Sequence, residues 1–236
     1  MARILPYGLN VGDASKRPSD RSDPLDSVAA ARAEYSRGGL VEADLLPDPI
    51  AMFRRWYDDA ATAGVHEPNA MVVATVSQDF APSARLVLLK GVSEAGFTFY
   101  TNTGSRKGAD LAGNPRCSLL FPWHPLERQV RVEGTAALLP RAAVDDYFAV
   151  RPRGSQLGAW ASHQSRVVSG REELLAAYDE AEQRFGEGDV PTPEEWGGYL
   201  VHPESVEFWQ GRPGRMHDRL VYRRTPDGWR TERLAP

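Results

Sequence analysis

Apolar and polar positions along this chain follow two rhythms, a helical one near the start and a strand-like one through the middle and end. Asp48-Pro49 places an N-cap before a proline at the first helical position. Ile50, Phe53 and Tyr57 follow at helical spacing, and Gly64 is the stop. Asp23-Pro24 repeats that start signal and predicts a helix through Tyr35 to a Gly38-Gly39 stop, with Arg32 and Tyr35 on one face. From Ala70 the pattern changes to short runs rich in β-branched and aromatic residues, which predict strands over 72–76, 85–90, 97–101, 117–121 and 129–138. Their connections are too short for helical crossovers, apart from a short helix over 106–113, so an antiparallel meander or closed barrel follows. Residues 142–149 predict a short helix. Ser169-Gly170-Arg171-Glu172 reads as a capping box opening a helix through Phe185. Strands return over roughly 198–201, 206–210, 216–223 and 229–233. In the first hairpin, Ser77-Gln78-Asp79-Phe80, the bulky Phe80 resists the positive φ of a tight turn and predicts a longer or differently shaped one.

With 236 residues, 42% of them hydrophobic, the chain can bury one substantial core, and two full domains are not expected. A net charge of −4 argues against a nucleic-acid partner, so local arginine clusters must serve local anions. The lone cysteine, Cys117, sits in an apolar run and reads as a small buried hydrophobe; no internal disulfide can form, and a reducing cytoplasmic setting fits. No run approaches the ~20 apolar residues of a membrane span. The first 22 residues carry charge without a signal-peptide core and read as a flexible tail ahead of a single domain over 23–236.

The chemistry begins with absences. There is no Rossmann fingerprint, P-loop, nucleophile elbow or His-Glu-x-x-His, and the five histidines never fall at metal-ligand spacing, so no metal is expected. What remains is a surplus of Arg, Lys, Ser, Thr, Gln and Trp, suited to holding a phosphorylated aromatic cofactor that does the chemistry itself. Arg215-Met216-His217-Asp218-Arg219 stands out. An extended backbone there would project Arg215, His217 and Arg219 from one face, a cationic row with one titratable member. A solvated edge of a surface strand would show the same alternation. Likewise Lys107 alone reads as a surface lysine, Gln129 as a strand-end polar residue, Trp209 as core, and Arg151-Pro152-Arg153 as a helix-ending turn.

Taken in order, several segments narrow these options. They are Arg85-Leu86-Val87-Leu88-Leu89-Lys90, Phe99-Tyr100-Thr101-Asn102, Ser105-Arg106-Lys107, Glu127-Arg128-Gln129-Val130-Arg131, Tyr147 through Ser155-Gln156, Gln164-Ser165, Trp196-Gly197-Gly198 and Glu207-Phe208-Trp209-Gln210-Gly211. In that order they resemble the pyridoxine 5′-phosphate oxidase family, in one register from about Arg32 to Pro236.

The resemblance implies a mainly β fold with flanking helices, an antiparallel split β-barrel that binds FMN and works as a homodimer with its flavin sites at the subunit interface. It implies FMN contacts from Arg85, Leu86, Val87, Leu88, Leu89, Lys90, Tyr100, Thr101, Arg106, Lys107, Gln129, Gln164, Ser165, Trp209 and Arg219. It also implies a substrate side in which Lys90, Tyr147, Arg151 and Ser155 take a phosphate, and Arg215 and His217 face the pyridine ring as the catalytic pair. Arg32 and Tyr35 would cover the bound substrate. The implied reaction oxidises pyridoxine 5′-phosphate or pyridoxamine 5′-phosphate to pyridoxal 5′-phosphate, with hydride passing to FMN and O2 leaving as hydrogen peroxide. Two alternatives stand beside it: a related split-barrel flavoenzyme acting on another aromatic metabolite such as a phenazine precursor, and a non-catalytic flavin or pyridoxal-phosphate carrier.

Overall fold

Nine antiparallel strands curl into one sheet, with five helices beside it among the described residues, 34–236, of this computed structural model. The strands are β1 (Ala70–Val76), β2 (Pro82–Leu88), β3 (Gly91–Ser93), β4 (Gly96–Asn102), β5 (Arg116–Trp123), β6 (Arg128–Leu138), β7 (Trp196–Gln210), β8 (Asp218–Thr225) and β9 (Gly228–Arg233). Their order is β2-β1-β5-β6-β7-β4-β3, and β8 branches from β7 to carry β9.

Helix α1 (Pro49–Thr62) forms where its start signal predicts. The Asp48 carboxylate accepts the Ile50 N–H at 2.9 Å, capping a helix whose Ile50, Met52, Phe53, Trp56 and Ala60 are buried. Phe53 lies 4.9 Å from Phe97 and 4.8 Å from Phe121, and Trp56 lies 5.1 Å from Phe208, measured between ring centroids. The helix thus packs its aromatic face on the inner face of the sheet, each such side chain contributing about 1.5–3 kcal/mol by burial. Cys117 belongs to this core, and burial pushes its thiol pKa up to about 12, which leaves it an inert hydrophobe. Helices α3 (Arg141–Ala149), α4 (Arg153–Ala161) and α5 (Arg171–Phe185) close over a second, smaller core of Phe148, Leu157, Ala181 and Val190.

Several sequence expectations are corrected. The segment from Tyr35 to Gly39 is irregular, not the end of a helix; the earlier part of that expected helix, with Arg32, lies outside the described residues. Strand β2 stops at Leu88, and Leu89 turns into the core. The two expected segments 198–201 and 206–210 are one strand, β7. Strand β8 begins at Asp218, two residues late, because Gly214 and Arg215 both take left-handed φ in a short 3-10 turn. Helix α4 was not expected. Helix α5 is capped through Glu173, which accepts both the N–H and the hydroxyl of Ser169, and not through Glu172. The first hairpin is indeed longer than a two-residue turn, but Phe80 does adopt positive φ (63°), the residue being left 84% exposed.

The 15-residue β7 pairs with β6 along its length, with β4 through its first half and with β8 through its second. A bulge makes that bend possible. Glu133 faces Ser205 while Gly134 faces Pro203, so Glu204 is the extra residue. At Gly134 a Cβ would lie 2.1 Å from the His202 carbonyl oxygen, so no side chain fits. Gly134→Ala is therefore expected to lower stability by about 3 kcal/mol with an unchanged m-value in urea unfolding.

Candidate functional site

A cavity of about 810 Å³ opens where β2, β4, the start of helix α2 (Arg106–Gly113) and the α3–α4 junction meet. Alternation along β2 turns Ser83, Arg85 and Val87 to one half-buried face, while Leu86 is 69% exposed; Leu86 and Leu88 also border the cavity. Lys90 stands just past the strand end, and Tyr100 and Thr101 come from β4.

The charge concentrates at the start of α2. Ser105 is its N-cap, so the free N–H groups and the positive end of the helix dipole face the space that Arg106 and Lys107 border. Lys107 is only 7% exposed, yet among the described residues its ammonium donates to neutral acceptors alone: Thr101 Oγ1 at 2.8 Å, Ser105 Oγ at 3.1 Å and Gln164 Oε1 at 2.5 Å. Burial and then the nearby Arg85 guanidinium push its pKa down to about 8. A buried cation without a carboxylate partner is a place prepared for an anion.

Arg85 is held from below. Its guanidinium donates to Thr75 Oγ1 at 2.7 Å, to Ser83 Oγ at 2.7 Å and to the Val73 carbonyl at 3.1 Å. Thr75 in turn donates to Asp110 Oδ2 at 2.6 Å, and that carboxylate lies 3.8 Å from Arg85. Asp110 and Thr75 escaped sequence reasoning. The one available signal was a carboxylate on the face of α2 that also carries Lys107 and Leu111, the face that turns inward.

Across the cavity, the rings of Tyr147 and Tyr100 stack at 3.7 Å. Arg151 sits in the turn between α3 and α4 with its guanidinium 4.0 Å over Trp196 and 5.4 Å from Phe148. Its Nη1 is buried and has no hydrogen-bond partner among the described residues. Ser155 lies in the first turn of α4, and Gln164 and Ser165 follow that helix; all three border the same space. Trp196, in the Trp196-Gly197-Gly198 segment, borders it too, a contact the sequence does not predict.

The other expected site residues collect elsewhere. Gln129, Trp209 and Arg219 stand opposite one another on β6, β7 and β8, and cross-strand partners share a face. Arg219 is oriented by the buried Glu207, whose two oxygens accept its Nε at 2.8 Å and Nη2 at 3.1 Å. The Trp209 ring has His217 at 4.7 Å and Tyr35 at 5.8 Å. The Arg212 N–H donates to His217 Nδ1 at 3.1 Å, which places the proton of a neutral ring on Nε2. The extended row of Arg215, His217 and Arg219 does not form: Arg215 lies in the 3-10 turn and is exposed, and only Arg219 is on a strand. None of Tyr35, Leu89, Gln129, Trp209, Arg215, His217 or Arg219 borders the 810 Å³ cavity.

The curled antiparallel sheet with its flanking helices is a split-barrel fold, and the cationic cavity at its edge suits a phosphorylated ligand. Residues 57–185 match the pyridoxamine 5′-phosphate oxidase model, and 196–236 match the pyridoxine 5′-phosphate oxidase C-terminal dimerisation region. A pyridoxine/pyridoxamine 5′-phosphate oxidase from Nocardioides sp. is 71% identical over 89% of this chain and 98% of its own length. One from Rubrobacter xylanophilus is 57% identical over 89% and 96%. Among solved structures, PhzG from Burkholderia lata, in complex with tetrahydrophenazine-1-carboxylic acid, has a TM-score of 0.79 at 31% identity, over 84% of this chain and 98% of that one. The chain belongs to the pyridoxamine 5′-phosphate oxidase family of FMN-dependent oxidoreductases. Its residues fit the cofactor: the buried, carboxylate-free Lys107 at a capped helix N-terminus asks for a phosphate, and the cavity has room beside it for an aromatic ring system.

Lys107 also sets a pH dependence. Its pKa near 8 in the ligand-free fold lies below the unfolded value, so the unfolded chain holds more protons between about pH 8 and 10.5. Through this group, the ligand-free protein gains stability as pH rises across that window. The charged form is the one that favours a dianion, so FMN affinity is expected to be flat in this group below pH 8 and to fall by up to about tenfold per pH unit above it. Titration of FMN into apoprotein from pH 7 to 10 checks this, with Lys107→Arg expected to flatten the fall.

Proposed function

We propose that this protein oxidises pyridoxine 5′-phosphate and pyridoxamine 5′-phosphate to pyridoxal 5′-phosphate. One observation carries the reading: a single cavity is lined by two sets of anion donors from different elements, Arg85, Arg106 and Lys107 from β2 and α2, and Tyr147, Arg151 and Ser155 from α3, α4 and the turn between them. Two phosphorylated molecules, a flavin nucleotide and a small substrate, match that pair. The 71%-identical relative bears the corresponding name.

When bound, FMN supplies the hydride-accepting ring, with O2 as final oxidant and hydrogen peroxide as product. The chain's own residues bind and orient. Lys107, Arg106 and Arg85, with Thr101, Gln164 and Ser165, hold the cofactor phosphate side. Lys90, Tyr147, Arg151 and Ser155 hold the substrate phosphate, and the free Nη1 of Arg151 is the donor still without a partner. His217, its proton placed on Nε2 by the Arg212 N–H, offers a hydrogen bond to the substrate ring, and Arg215 adds fixed positive charge.

The second patch reaches the cavity through a partner. Trp196 borders the cavity at the start of β7 and Trp209 lies thirteen positions further on, roughly 40 Å along the strand. Within one copy the two patches belong to opposite ends of β7. In a two-fold homodimer, each copy presents Gln129, Trp209, His217 and Arg219 to the cavity of the other, and the dimerisation region matched over 196–236 contains three of those four residues. The protein works in the cytoplasm under this reading.

The likeness to the phenazine-bound neighbour favours a second reading, oxidation of a larger unphosphorylated aromatic. Phosphate dependence separates the two, and oxygen consumption separates both from a carrier. With both phosphorylated substrates the assay is expected to show turnover and peroxide release. Removing the substrate phosphate deletes at least two charged hydrogen bonds of about 1.5–3 kcal/mol each, so kcat/KM for unphosphorylated pyridoxine should be about two to four orders of magnitude lower. Arg151→Ala should narrow that gap by harming the phosphorylated substrate alone. Equal kcat/KM for pyridoxine and its phosphate would overturn the assignment.

A further inference from the structure

The strap from Tyr35 to Leu40 joins no sheet, yet side chains tie it down along most of its length. One carboxylate oxygen, Glu127 Oε2, accepts the N–H groups of both Ser36 and Arg37 at 2.9 Å. Arg212 Nη1 donates to the Gly38 carbonyl at 2.6 Å. Asp218 Oδ2 accepts the Leu40 N–H at 3.0 Å, Arg233 Nη2 donates to the Leu40 carbonyl at 3.1 Å, and the Leu40 side chain is buried. These ties deliver the Tyr35 ring edge-on to Trp209 and to His217, 5.8 and 5.6 Å away.

Glu127 is an unexpected residue at its position. It caps the short turn after β5 with a left-handed backbone, φ 55° and ψ 35°, which costs a non-glycine residue about 1 kcal/mol. The turn itself would form more easily with glycine, so the carboxylate serves something other than the turn. Among the described residues, its two hydrogen bonds both go to the strap. Gly211 adds a steric condition. Its N–H donates to the Glu127 carbonyl at 2.7 Å, and a Cβ there would lie 2.8 Å from Tyr35 Cγ and 3.1 Å from Glu127 Cβ. The strap, the glutamate and the glycine are fitted to one another.

We propose that Glu127 is a positioning residue whose carboxylate latches the 35–40 strap, seating Tyr35 against the Trp209–His217 wall and so setting how tightly substrate is held beneath it. The latch rests on the geometry alone, and its effect on substrate rests on the oxidase reading above. Glu127→Gly is the decisive variant, since it removes the carboxylate while relieving the left-handed backbone, so its melting temperature should stay close to that of the parent.

The experiment measures amide hydrogen exchange and steady-state kinetics on the flavin-loaded full chain. In Glu127→Gly, exchange at Ser36 and Arg37 should quicken by about tenfold while the β6 and β7 amides keep their rates. KM for pyridoxamine 5′-phosphate should rise about fivefold, with kcat and bound FMN nearly unchanged. Glu127→Gln keeps one acceptor oxygen and should fall between the two. Gly211→Ala, which crowds Tyr35 with the carboxylate intact, should raise KM as well. Unchanged exchange at Ser36 and Arg37 overturns the latch. Faster exchange with an unchanged KM overturns its role in holding substrate. A parent enzyme that oxidises neither phosphorylated substrate defeats the oxidase reading, and the substrate half with it, while exchange still judges the latch.

Discussion

The pairing of β7 with three other strands is the constraint on which the rest of this molecule depends. Its first half closes against β4, its second half carries β8, and β6 runs beside both. A straight strand could not satisfy all three partners in a curled sheet, and the bulge at Gly134, with the His202 carbonyl pressed where a Cβ would be, lets it bend. The same strand fixes the functional layout. Its opening residue faces the cationic cavity, and Trp209 near its end faces the other patch. The strand thus carries the cavity at its start and the Trp209 patch near its end.

Charge shows the same economy of placement. The chain is acidic overall, yet the residues around the cavity are cationic and have one buried carboxylate beneath them, Asp110, which reaches Arg85 chiefly through the Thr75 hydroxyl. Among the described residues Lys107 has only neutral partners, so its desolvation is uncompensated, and with the nearby Arg85 this lowers its pKa. A bound dianion removes that penalty. Cofactor binding and fold stability are therefore coupled through one ammonium group, and the holoprotein should be the more stable form by the ordinary mass-action relation.

How much of this was legible in the sequence depended on whether a signal was local. Helix α1 was readable because its cap, proline and apolar spacing agree, and α2 because Ser105 precedes it. Helix α4 was hidden by Gly154 and Gly158, which lower helix propensity, and forms because Leu157 joins the second core. The start of β8 was misjudged because alternating charges suggested extension where Gly214 and Arg215 turn left-handed. Phe80 shows the reverse case. Its positive φ was disfavoured by its size, and the residue's exposure at the hairpin tip lets the turn take it without a clash in the core. The cavity's family of residues was legible by motif, but its division into two patches was not, since register across strands is a tertiary fact.

The molecule has two cores, and they carry different parts of the chemistry. The aromatic core beneath α1 supports β2, β4 and the start of α2, hence the cationic cradle around Arg85 and Lys107. The smaller core of Phe148, Leu157, Ala181 and Val190 supports α3 and α4, hence Tyr147, Arg151 and Ser155. Trp196 joins them, stacking beneath Arg151 at 4.0 Å and meeting Phe148 at 6.0 Å while remaining paired to β4 through Asn102. Substitutions that repack the smaller core would act first on the proposed substrate donors, and on the cradle through Gln164 and the Tyr100–Tyr147 stack. A shared fold with a phenazine-bound neighbour is then physically reasonable, because the sheet can stay the same while the side chains carried on the smaller core differ.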